Sequence, residues 1–129
     1  MSETPQDFLD LSEEAWNDYR KAKSAGGSVR MLYNRLYYAC FYAAKAALLA
    51  AGEEPKTHRG TANLLFQVLY DDQGAVSKET AAFLSTIQQK RDEADYETGF
   101  DDTVADVERV ATSAQQFTEE MERIVAEHA

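Results

Sequence analysis

Three short segments of this chain concentrate the side chains that can do chemistry. The first is Asn34-Arg35-Leu36-Tyr37-Tyr38-Ala39, the second Thr57-His58-Arg59-Gly60, and the third Arg91-Asp92-Glu93-Ala94-Asp95-Tyr96. Arg91 can grip a phosphate through two parallel N–H donors. His58 is the side chain whose ordinary pKa suits proton transfer near neutrality. Asp95 can serve as a base or orient another group, and Tyr96 can donate a hydrogen bond. Asn34, Arg35, Tyr38 and Arg59 supply donors and a ring for a phosphate or a base edge. Each residue also has a plain structural use. Arg35 and Arg91 can pair with Asp95 or another carboxylate to satisfy a buried site. His58 can brace its loop, and the tyrosines can pack a core with their hydroxyls bonded.

Other chemistries find little support. No phosphate-cradling glycine loop, CxxC or HExxH occurs. With His 2 and Cys 1, a zinc site of the usual His/Cys type is not expected. A di-metal carboxylate bundle wants Glu-x-x-His motifs, and none is present. Glu127-His128 reads as a tail, and no serine has the context for a Ser-His-Asp triad with His58. Neither metal nor other cofactor is expected.

The 129 residues suit one domain, 1–129, large enough to bury a core without disulfide or metal. The polar, acidic start Met1-Ser2-Glu3-Thr4-Pro5 does not read as a signal peptide. No run approaches the ~20 apolar residues of a membrane span, so no membrane partner is expected. Cys40 has no partner in the chain, which suits a reducing, cytoplasmic compartment. The net charge of -10 argues against nucleic acid when taken whole. Its distribution differs. From Arg20 to Gly60 there are eight basic residues and two acids, so that stretch is cationic inside an acidic chain. Such segregation fits either ordinary surface solvation or a local positive groove.

The elements that must position these residues are helices. Thr4-Pro5 caps and opens the first, and Gly26-Gly27 ends it. Ser28 caps a second, which runs to about Ala51 without a single acidic residue. That helix is apolar on nearly every side, which marks a helix buried by several neighbours. At about 100° per residue, Asn34, Arg35, Tyr38, Tyr42 and Lys45 share its one polar sector. A loop from Glu53 to Gly60, a third helix from about Thr61 to Tyr70, and a turn at Asp71–Gly74 follow. Ser77 caps a fourth helix ending near Arg91. Asp95 to Asp101 reads as loop, and Asp101 or Asp102 as cap of the last helix. No segment alternates with a period of two, so the chain is expected to be all-α, an up-and-down bundle of four to five helices.

The three segments, taken in order, resemble the HEPN domain, and within it the small stand-alone prokaryotic branch. That branch carries R-x-Y-Y-A-x-F, then T-H-[KR]-G, then R-x-x-A-D-Y. Arg35 to Phe41, Thr57 to Gly60 and Arg91 to Tyr96 fit these in turn, across roughly residues 28 to 100. The resemblance implies a helical bundle that forms a homodimer. It implies partnership with a minimal nucleotidyltransferase as antitoxin in a toxin-antitoxin pair, which modification of HEPN tyrosines or neighbouring residues can regulate. Many HEPN proteins are metal-independent ribonucleases, using an arginine followed several residues later by a histidine from each subunit. Here Arg91 matches the arginine, but no histidine follows before His128. RNA cleavage needs a base for the 2′-hydroxyl, charge stabilisation at phosphorus and an acid for the leaving oxygen. Arg91, His58, Asp95 and Tyr96 are the candidates. Two readings follow: a HEPN-type dimer that binds or cleaves RNA or binds a nucleotide, or a non-catalytic module that binds a partner protein through the bundle surface.

Overall fold

The computed structural model describes residues 3–129 and is helical throughout, with no strand among them. Helix α1 is Pro5–Ser24. Thr4 and Asp7 form a reciprocal capping box at its start, with Pro5 in the first turn. It stops at Gly26, whose φ of 75° only glycine adopts cheaply.

Helix α2, Val29–Ala50, is the hub. Ser28 caps it, and twelve of its 22 residues are buried, among them Leu32, Tyr33, Leu36, Tyr37 and Leu48. Every other helix packs against it. Its alanines let neighbours come close. The buried Ser12 hydroxyl of α1 donates to the Ala39 carbonyl at 2.7 Å and fastens the two helices.

Helix α3, His58–Leu64, begins three residues earlier than its sequence suggests. Thr57 is the cap, its hydroxyl accepting from the Gly60 amide at 2.8 Å. Gly60 belongs inside this turn, because a Cβ there would lie 2.7 Å from the Thr57 hydroxyl. The helix continues as a π-helical segment, Leu65–Asp72, two residues past its expected end. Buried Leu65, Val68 and Leu69 serve an α or a π turn equally well, so their spacing does not distinguish the two.

Helix α4, Lys78–Tyr96, is capped by Ser77 as expected but runs five residues beyond Arg91. Asp95 and Tyr96 are therefore helical, not loop. Ala94 is buried, its carbonyl accepts from Arg30 Nε at 2.5 Å, and Asp95 faces Arg91 one turn back. Helix α5, Val104–Glu127, is capped by Thr103, in a box with Asp106, and not by Asp101 or Asp102. Asp102 is engaged elsewhere: it accepts from the Tyr33 hydroxyl at 2.5 Å and lies 3.2 Å from Lys90 Nζ.

Helices α1 and α5 both lean on α2 and leave a groove of about 580 Å³ between them, where Glu13, Glu119 and Glu122 gather. Burial, and then the charges of Glu119 and Glu13, raise the Glu122 pKa above its usual 4.5. Among the described residues no helix is long and apolar enough to cross a membrane.

Candidate functional site

The polar sector of α2 forms a half-buried stripe between α1 and α4. Tyr38 stands at its centre, with Asn34 and Arg35 one turn before it and Tyr42 one turn after. The Arg35 guanidinium carbon lies 5.3 Å from the Tyr38 ring centre. Its Nε and Nη2 donate to the Asn34 side-chain oxygen at 3.0 and 2.6 Å, and Nη1 sits 3.7 Å from Asp18 of α1. Asn34 thus anchors Arg35, whose carboxylate partner is Asp18 and not Asp95.

Arg91 reaches the same ring from α4. Its guanidinium carbon is 5.1 Å from the Tyr37 ring centre and 5.7 Å from that of Tyr38. Both distances are within cation–π range. Its Nε lies 3.5 Å from the Asp95 carboxylate yet makes no hydrogen bond, and it is the one buried side-chain polar atom of the described residues left so. Nη1 and Nη2 also lack a hydrogen-bond partner among the described residues, and the side chain is 19% exposed. The guanidinium lies over aromatic faces, while its two terminal nitrogens have no hydrogen-bond partner among the described residues.

His58, at the first turn of α3, completes the cluster. Its ring stacks on Phe41, centres 4.2 Å apart and planes within 6°, and meets Tyr38 edge-on at 5.9 Å. Its Nδ1 is 2.6 Å from the hydroxyl of the fully buried Tyr37. Burial, then the charges of Arg91 and Lys45, hold the His58 pKa below its usual 6.5, with Asp92 opposing them. Burial pushes the Tyr37 phenol well above its usual 10, with Arg91 pulling the other way.

The structure brings Asn34, Arg35, Tyr38, His58, Arg91 and Asp95 into one connected cluster. Arg59 and Tyr96 stand apart, lining a neighbouring groove of about 690 Å³ between α3 and α4. Tyr96 is 77% exposed. Tyr37, Phe41 and Lys45 join the cluster although they are not among the candidate site residues of the sequence. Lys45 lies over the rings of Phe8 and Phe41, at 4.6 and 5.6 Å. The available signal was spacing: Tyr37, Phe41 and Lys45 are four apart on one helix face. No three His, Cys, Asp or Glu side chains among the described residues are grouped to hold a metal.

Four helices around an acid-free central one, with arginines from two helices meeting on its tyrosines, define a helical-bundle domain with a cationic and aromatic face. The chain belongs to the HEPN domain family, whose model matches residues 8–124. It is also similar to a UPF0332 protein of Archaeoglobus fulgidus, 42% identical over 60 residues. That match covers 46% of this chain and 46% of the archaeal protein, so it spans about half the length of that relative.

Proposed function

We propose that this HEPN chain binds RNA or a nucleotide by its phosphate, with Arg91 as the principal contact. The observation carrying this reading is the state of Arg91. Its guanidinium lies over Tyr37 and Tyr38 while both terminal nitrogens lack a hydrogen-bond partner among the described residues. A bidentate phosphate matches such a fork. Tyr38 offers a ring edge or face to a base, and Arg35, already fixed by Asn34, adds a second positive charge beside it. His58 contributes at the same cluster, and Arg59 and Tyr96 extend the surface along the adjoining groove. The chain acts as a homodimer, in which the α2 stripe, including the 51% exposed Met31, lies against or near the second copy. Its partner in a toxin-antitoxin pair is a minimal nucleotidyltransferase.

The test is RNA binding by fluorescence anisotropy in EDTA. Wild type should bind a mixed-sequence single strand, and Arg91→Ala should weaken binding and lower the salt slope by about 0.7. An unchanged slope and affinity would rule out Arg91 as the phosphate contact. Incubation with total RNA in EDTA, over a range of pH, separates binding from cleavage.

A second reading, a non-catalytic module docking the nucleotidyltransferase, is favoured by one observation. The positions four to six residues beyond Arg91's successor hold no histidine: Tyr96, Glu97 and Thr98 occupy the places where the family's ribonucleases carry one. Co-purification of the two gene products without any RNA binding by either would favour it.

A further inference from the structure

We propose that Tyr37 is the positioning residue of His58: its buried phenol fixes the imidazole in the Nε2–H tautomer, so that His58 faces the site as a hydrogen-bond donor and not as a base. The argument begins with Tyr37. Its side chain is fully buried, and His58 Nδ1 at 2.6 Å is its hydroxyl's partner. A buried O–H left without an acceptor forfeits the hydrogen bond it makes to water in the unfolded chain. The phenol therefore donates, and Nδ1 must be the unprotonated nitrogen that accepts. In a neutral ring the proton then resides on Nε2.

A half-turn of the ring would put Cδ2 against the Tyr37 hydroxyl and leave that buried O–H without an acceptor, so the hydrogen bond selects this orientation. Phe41 covers one face in near-parallel contact and Tyr38 abuts it edge-on. The opposite nitrogen, Nε2, has no protein partner among the described residues and is not buried. It is the edge that a ligand meets. Arg91 and Lys45 face the ring with positive charge and Asp92 with negative charge, so the groups around it favour the neutral form on balance.

An Nε2–H edge can donate to a phosphate oxygen, in company with the terminal nitrogens of Arg91. It has no lone pair to take the proton of a 2′-hydroxyl. This inference rests on the reading of the cluster as a phosphate site, but the tautomer is a property of the free protein and is measured there.

The experiment is ¹⁵N–¹H correlation spectroscopy of the two imidazoles at pH 7.5. His128 serves as an internal reference of the opposite kind, since its Nδ1 faces the Ile124 carbonyl at 2.8 Å and must carry a proton to bond it. His128→Ala assigns the signals. The wild-type His58 should show an unprotonated Nδ1 and a protonated Nε2. Tyr37→Phe should shift it toward a mixture of tautomers. A wild-type His58 with its proton on Nδ1 would overturn the proposal without any variant. An unchanged tautomer in folded Tyr37→Phe would overturn the role of the phenol. Titration with inorganic phosphate is a separate arm. A missing response at Nε2 would count against the phosphate reading and leave the tautomer assignment standing.

Discussion

Arg91 Nε lies 3.5 Å from the Asp95 carboxylate one turn along the same helix, near enough to attract it but outside hydrogen-bond geometry. The ion pair therefore holds the base of the guanidinium while sparing its tip. A ligand phosphate would compete with Asp95 for the same charge.

Removing that competition should tighten binding. Asp95→Asn is expected to lower the Kd for single-stranded RNA by about fivefold, on the order of 1 kcal/mol for a unit charge some 5 Å away in a watery surround. Stability should change by less than about 1 kcal/mol, since the pair is partly exposed. Anisotropy and urea melts read the two effects separately. Weaker binding in the variant would mean that Asp95 orients Arg91 more than it competes.

The helices were largely legible in the sequence because their caps are strong. Thr4-Pro5, Ser28 and Ser77 each stand where a capping side chain is found. The errors have local causes. Glu53 to Gly60, with Pro55, reads as loop throughout, whereas Gly60 is the residue small enough to sit behind the Thr57 cap. Asp95 to Asp101, with Gly99 in it, reads as loop, whereas Asp95 repeats on the Arg91 side of a continuing helix. The candidate residues were legible by type and motif, but not their partners. Asp18 pairing with Arg35, and Tyr37 with His58 across 21 residues, depend on how helices cross.

The cap of α3 gives a stability test. Gly60→Ala would drive a methyl into the Thr57 hydroxyl and open the turn that carries His58. A loss of about 1–2 kcal/mol is expected, in line with losing an N-cap. Thr57→Ala should cost about 1 kcal/mol. Combining the two should be less than additive, because both remove one interaction. Additive losses in chemical denaturation would show that the clash lies elsewhere.

Stability should depend on pH through His58. Its folded pKa is depressed, so between the unfolded value near 6.5 and the lower folded one the unfolded chain binds more protons. Stability attributable to His58 is thus full above pH 6.5, falls as pH drops through that window, and levels off below the folded pKa. His58→Gln should flatten this segment of the profile. A profile of unchanged shape would assign the dependence to other groups.

Cys40 is fully buried, and burial pushes its thiol far above the ordinary range. The thiolate is the reactive form. The native protein at pH 8 should resist a maleimide or a disulfide reagent, and should label fully in denaturant. Rapid native labelling would show that α2 opens locally.

The groove between α1 and α5 has a consequence for how the molecule meets a partner in solution. Its glutamates lie on the side of α1 roughly opposite Asp18, which faces Arg35 and the α2 stripe. On the proposed phosphate reading, a polyanion arriving from the rear would be repelled and one arriving at the stripe drawn in. Rotational diffusion would thereby be biased before contact, and capture would become an orientation-filtered event whose rate falls with added salt.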